Sequence, residues 1–195
     1  MRHPRRILTL ALPALLAALA LASSSAHAEE ADVEEVSAAG IELDAAPYLM
    51  GGFHASAWSG SSGWRVRPVV ARAYPPDFML KDGFEAARVD ALALLVDWFP
   101  RWREQGYRGF WVGAGFEYWR SIISRVGYGG FSTYTNGVVT AGGGYVWPVW
   151  RSVYLNPWAA GHMVVSGTRR IPVAGTTYEQ RVFTPEASVK LGISF

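Results

Sequence analysis

Hydrophobic and polar residues alternate at a period of two through most of the chain after residue 45. Alternation of this kind places successive side chains on opposite faces of a strand. The stretch "PYLMGGFHASAW" sets Leu49, Phe53, Ala55 and Ala57 against Met50, His54 and Ser56. "WRVRPVVARAY" puts Arg65 and Arg67 on one parity, and "FEAARVDALALLVDWF" follows it. "GFWVGAGFEYWRSII" separates Phe110, Val112, Ala114, Phe116 and Tyr118 from Trp111, Gly113, Gly115, Glu117 and Trp119. "GVVTAGGGYVWPVW" and "VYLNPWAAGHMVVSG" continue the series, the second with Asn156 and His162 on one parity. The closing "FTPEASVKLGISF" sets Ala187, Val189, Leu191, Ile193 and Phe195 against Glu186, Ser188, Lys190 and Ser194.

Gly, Ser, Asn and Pro separate these segments, and each segment is long enough to cross a bilayer as a tilted strand. A run of such segments predicts an all-β fold: an antiparallel, up-and-down transmembrane β-barrel. Seven segments are clear, whereas bacterial single-chain barrels use an even number of strands. About eight strands are therefore expected. The missing one falls within 33–46 or within 167–182, where "RRIPVAG" is a weak candidate.

The connections differ in length. "SGSSG" and "RS" are short, "PRWREQGYR" is intermediate, and "PPDFMLKDG", "SRVGYGGFSTYTN" and "TRRIPVAGTTYEQRV" are longer. With the C-terminus on the periplasmic side, the short turns fall there and the long loops fall outside.

The N-terminus changes the charge picture. Arg2, Arg5 and Arg6 precede an apolar run from Ile7 to Ala22, which closes on Ala26-His27-Ala28. This is the layout of a cleaved signal peptide, 1–28. Removing its three arginines from the chain's 18 basic residues leaves 15 against 16 acidic, a net of −1. The high isoelectric point then offers no argument for nucleic-acid binding. Residues 29–44 carry Glu29, Glu30, Asp32, Glu34, Glu35, Glu42 and Asp44 and read as a flexible acidic lead-in. The barrel is then expected over 45–195. There is no cysteine, so disulfides and a lipoprotein anchor are both excluded. The scarcity of histidine offers no metal constellation, and no cofactor is expected.

If the faces run as drawn, the interior collects His54, Ser56, Arg65, Arg67, Arg88, Asp90, Glu117, Asn156, His162, Glu186 and Lys190. Charges taken out of water must pair. The expected outcome is a network that fills an interior just wide enough for side chains. Trp58, Trp64, Trp98, Trp119, Trp147 and Trp150 lie near segment ends, where aromatic rings favour the membrane interface. Arg169, Arg170, Lys81 and Arg125 are expected on external loops, within reach of lipopolysaccharide phosphates.

The leader, the alternating segments and above all "ASVKLGISF" resemble the small outer-membrane β-barrel superfamily of OmpA/OmpX/OmpW-like proteins. The resemblance implies an integral outer-membrane location and, for Phe195, a role as the signal read by the barrel-assembly machinery. It implies a monomer with a structural, adhesive or small-apolar-ligand role, in contact with outer-membrane lipid and lipopolysaccharide. A narrow channel is the alternative. Separately, the His54-x-Ser56 spacing resembles the lipid A deacylase barrels, in which a serine attacks an acyl ester and a histidine is the base. Here Ala57-Trp58 follows the pair, a departure from that family's Asn-containing context.

Overall fold

A computed structural model describes residues 38–76 and 79–195. The expected signal peptide, 1–28, and the first part of the expected acidic lead-in lie outside the described residues.

Eight strands close into one antiparallel ring: β1 (Ala38–Asp44), β2 (Phe53–Ser61), β3 (Trp64–Ala73), β4 (Phe84–Trp98), β5 (Gly109–Arg125), β6 (Phe131–Trp150), β7 (Val153–Gly167) and β10 (Phe183–Ser194). Two further short strands, β8 (Arg170–Val173) and β9 (Thr176–Glu179), form a separate hairpin. The ring closes where β1 pairs with β10 through Ile41↔Ile193 and Leu43↔Leu191. With that seam sealed, the wall has no open edge, as strands in hydrocarbon require.

The eighth strand is β1, within the first of the two stretches considered. This corrects the lead-in reading: Ala38–Asp44, assigned there to a flexible acidic segment, is a barrel strand. Glu42 and Asp44 are not solvated acids but buried ones, 0% and 1% exposed. The other candidate stretch is the β8–β9 hairpin, which pairs with itself and adds nothing to the ring. A second correction concerns Leu49, expected on a strand. It lies on a short helical turn, Ala45–Leu49, whose N-cap is the Asp44 side chain accepting from the Ala46 N–H. The strand that follows starts at Phe53.

The two faces have opposite chemistry. Outward side chains form an apolar belt, including Leu92, Leu94, Val96, Phe116, Val139, Leu155, Val189, Leu191 and Ile193, all substantially exposed. On a soluble protein so large an exposed apolar wall would drive aggregation; against acyl chains it is the favoured surface. From Trp98 up to Asp90 on β4 is about 26 Å along the strand, at roughly 3.3 Å per residue. A tilt near 40° reduces that to about 20 Å of height, close to a barrel's apolar band.

The two ends also differ. At the turn end, where β1 begins and β10 stops, the tight turns at Ser62-Gly63 and Arg151-Ser152 lie close to the exposed rings of Trp64, Trp98, Trp147, Trp150 and Phe195. Gly63 is required there twice over: its φ is +82°, and a Cβ would strike the Trp102 ring. At the opposite, hairpin end, β5 and β6 run beyond the belt. The long loop expected between them is therefore mostly strand, leaving only a five-residue bend at residues 126–130.

Candidate functional site

The interior is the chemically dense part of the molecule. Inward positions of β1, β3, β4, β7 and β10 bring together Glu42, Arg65, Arg67, Asp97, Tyr154, Asn156 and Lys190. Asp97 is the hub. Its Oδ2 accepts from Arg65 Nε at 2.9 Å and from Arg67 Nε at 3.0 Å, and its Oδ1 accepts from Arg67 Nη2 at 3.1 Å. Glu42 Oε1 accepts from Arg65 Nη1, Tyr154 OH and Asn156 Nδ2, all at 3.0–3.1 Å. Arg65 lies over the rings of Trp58, Phe99 and Trp111, its guanidinium carbon 5.1–5.5 Å from each centroid. Lys190 Nζ sits 3.8 Å over the Trp158 ring, whose Nε1 donates to Asp44. Three buried cations, Arg65, Arg67 and Lys190, are thus matched by three buried carboxylates, Glu42, Asp44 and Asp97. In so enclosed a space, that balance is what makes the charges tolerable.

A second cluster lies further toward the hairpin end, on β5, β6, β7 and β10. Thr140 Oγ1 donates to Glu117 Oε1 at 2.6 Å and lies 2.8 Å from His162 Nδ1. His162 Nε2 stands 2.9 Å from Glu186 Oε2, and Trp119 Nε1 donates to Glu117 Oε2 at 2.6 Å. Both imidazole nitrogens therefore face carboxylates. That arrangement braces four strands together.

Both mouths are covered. At the turn end, Phe99 is fully buried with Trp111, Val146 and Tyr154, and Trp102 and Tyr107 from the β4–β5 connection pack against them. At the other end, Ile171, Val173 and Tyr178 of the β8–β9 hairpin fold onto Ile123, with Leu80, Phe84 and Tyr134 around them. The hairpin is tied down polar-wise as well: Arg125 Nη1 donates to the Ala174 carbonyl, Ser132 Oγ to the Pro172 carbonyl, and Lys81 pairs with Glu179. The hydrogen bond and charge of Lys81 hold the Glu179 carboxyl below its ordinary range, and burial raises the Tyr178 phenol.

Of the interior residues expected from sequence, His54, Ser56, Arg65, Arg67, Glu117, Asn156, His162, Glu186 and Lys190 do face inward. Arg88 and Asp90 do not. They share the parity of Leu92, Leu94, Val96 and Trp98, so they lie on the outer wall, where Asp90 pairs with Arg72 and Arg88. Asp97, of opposite parity, takes the inward place. Residue size carries that signal: a narrow lumen takes Ala91 and Ala93 and leaves the larger Leu92 and Leu94 to lipid.

Two expected interface aromatics are also interior. Trp58 is 3% exposed and donates through Nε1 to Tyr154 OH at 2.8 Å. Trp119 donates to Glu117. Each shares parity with an inward polar residue two positions away, and parity decides over nearness to a segment end. Trp64, Trp98, Trp147 and Trp150 stand on the outer wall as expected. Interior residues absent from the expected set include Glu42, Asp44, Asp97 and Tyr154, each bonded to a side chain 30 or more positions away.

The His54-x-Ser56 pair faces the lumen, but it does not assemble. Ser56 Oγ and His54 Nδ1 are buried without a hydrogen-bond partner among the described residues. Among the described residues no cluster of three His, Cys, Asp or Glu could hold a metal ion.

No protein-family profile matches the chain, and no curated protein matches it. Among solved structures, a major outer membrane protein from Thermus thermophilus superposes with a TM-score of 0.52 at 11% identity, over 82% of this chain and 100% of that one. Neisserial surface protein A matches with a TM-score of 0.46 at 14% identity, over 82% and 95%. The N-terminal β-barrel domain of Pseudomonas aeruginosa OprF matches with 0.46 at 12%, over 81% and 97%. The Thermus likeness is the one that bears on architecture, and it bears on architecture alone. With a closed eight-strand ring, an apolar outer wall and a solved counterpart of the same shape, the chain has the fold of the small outer-membrane β-barrels, integral proteins of the bacterial outer membrane.

Proposed function

We propose that the protein is a non-conducting structural barrel of the outer membrane that holds a rigid, capped rim at the cell surface. The observation behind this reading is the lumen. Arg65, Arg67, Asp97, Glu42 and Lys190 fill its middle at 0–3% exposure, and Phe99 and the β8–β9 hairpin close its ends. An ion would have to displace paired charges from a low-dielectric interior, at a cost of several kcal/mol per broken pair. The hairpin end, with Arg169, Arg170 and Arg181 among its residues, is then the surface offered to partners outside the cell, and adhesion is the role such a rim suits.

An apolar-ligand role inside the barrel finds little room. Two hollows lie on the outer wall, one lined by Ala141, Ala159, Pro185 and Ala187, the other by Leu43, Leu155, Val189 and Leu191. In a membrane, acyl chains fill such hollows.

Reconstitution of the full-length mature protein into a planar bilayer tests the closed lumen. We expect a flat current record across moderate voltages. Regular conductance steps from heat-modifiable, folded protein would contradict the proposal and favour a channel.

A further inference from the structure

We propose that the outer wall carries a phosphate site for an anionic glycolipid of the lipopolysaccharide type, built by Arg72, Arg88 and Arg120 around Asp90. The proposal rests on the membrane reading above and adds a ligand to the lipid-facing side.

The placement comes from register. Phe53, Arg72, Asp90 and Arg120 are consecutive partners across β2, β3, β4 and β5, so they form one outward row. The row directly below is Ala55, Val70, Leu92 and Tyr118, and the wall stays apolar from there to Trp64 and Trp98. Arg88, paired with Ile122, lies one row above. The charges therefore begin where the apolar belt ends, at the height of lipid headgroups.

The electrostatics are unbalanced. Asp90 Oδ1 lies 2.5 Å from Arg72 Nε, and its Oδ2 lies 3.0 Å from Arg88 Nε. Both oxygens are then engaged, each by one nitrogen of a guanidinium that carries five N–H donors. Arg120, directly across from Asp90, is exposed and forms no ion pair among the described residues. Exposed Glu85 pairs with Ser124, further toward the hairpin end. Two planar forks on a single carboxylate, with a third arginine on the facing position of the next strand, leave an excess of donors suited to a second anion. Phosphate oxygens match arginine forks in geometry and charge.

The wall decides what carries that phosphate. A free phosphate gains nothing from Val70, Leu92 and Tyr118. An amphiphile gains twice, with its phosphate on the arginines and its acyl chains on the belt below. Asp90 then serves as the organiser that holds Arg72 and Arg88 side by side. In the orientation expected from the connections, this rim lies on the outer leaflet, where a phosphorylated glycolipid is the anionic amphiphile.

The test uses the full mature chain, refolded in a neutral detergent and verified by heat-modifiable mobility. Binding of bisphosphorylated lipid A is measured by native mass spectrometry. The folded wild type should retain lipid A. The Arg72→Gln, Arg88→Gln, Arg120→Gln triple variant should bind it about tenfold more weakly or worse. Lipid A stripped of phosphate should bind the wild type as poorly. If the triple variant does not fold, the single Arg120→Gln variant, at an exposed position, must still weaken binding severalfold. Equal binding of lipid A by folded wild type and variants would overturn the proposal. Full displacement by inorganic phosphate, or equal retention of dephosphorylated lipid A, would overturn it too: the first assigns the site to free phosphate, the second to acyl contacts alone. A wild type that never gives a heat-modifiable band would sink the membrane reading, and this proposal with it.

Discussion

Asp97→Ala is expected to destabilise the folded barrel by about 3–5 kcal/mol, the range for removing one partner of a buried charge pair. Asp97 is 1% exposed and receives Arg65 Nε, Arg67 Nε and Arg67 Nη2 at 2.9–3.1 Å. Without it, two guanidiniums share Glu42, whose Oε1 already accepts from Tyr154 and Asn156. Coulomb repulsion between the arginines then goes unscreened in an enclosed lumen. The companion double variant Arg67→Met, Asp97→Leu should recover much of the loss, since it removes one surplus charge together with the missing acid. Urea unfolding in detergent micelles, followed by tryptophan fluorescence or gel mobility, measures both. A loss below about 1 kcal/mol for Asp97→Ala, the size of an exposed ion pair, would mean that water reaches the cluster.

Gly192→Val should be nearly as damaging, for a steric reason. Gly192 lies between Glu42 on β1 and Tyr154 on β7 in the same inward row. Its missing side chain lets the Tyr154 ring lie across β10 and reach Glu42 with its hydroxyl. A Cβ at position 192 would stand 2.2 Å from Tyr154 Cζ. The ring must move, which breaks its bonds to Glu42 and Trp58 as well as overpacking the row. Overpacking costs about 1–3 kcal/mol, and each lost bond leaves a buried group unpaired at about 1–3 kcal/mol more. Adding Tyr154→Ser should relieve the clash and restore part of the stability. If Gly192→Val unfolds at the wild-type urea concentration, the crossing of Tyr154 over β10 is wrong.

Period-two alternation makes most of the barrel legible, because turn residues separate the segments and the aliphatic positions of one parity face lipid throughout. β10 can be read to the residue: Ser188 and Lys190 in, Val189 and Leu191 out. β4 cannot, because both its faces carry charge. Asp90 and Asp97 have opposite parity, so one of them has to face out, and the size of their neighbours decides which. β1 is hidden by its acids. An exposed run of glutamates and a strand with two buried carboxylates look alike until their partners are known. Those partners are remote: Arg65 is 23 positions from Glu42, Tyr154 112 and Asn156 114. A polar lumen inverts the usual rule that burial means apolar, so no local pattern separates Glu42 from a surface acid. The hairpin cap is similarly out of reach, since Ile171, Val173 and Tyr178 gain their burial from β4, β5 and β6.

A membrane-spanning wall with lipid on one face and a filled lumen on the other can be probed position by position. The absence of cysteine from the chain allows single cysteines to be introduced in turn at residues 89 through 98 and spin-labelled in lipid vesicles. Oxygen partitions into hydrocarbon and collides there with exposed labels. Collision rates should peak at positions 92, 94 and 96, fall at 91, 93 and 95, and drop again at 90, where the belt gives way to the headgroup row. A profile with the opposite parity, or one without a period of two, would contradict a lipid-facing wall of this register.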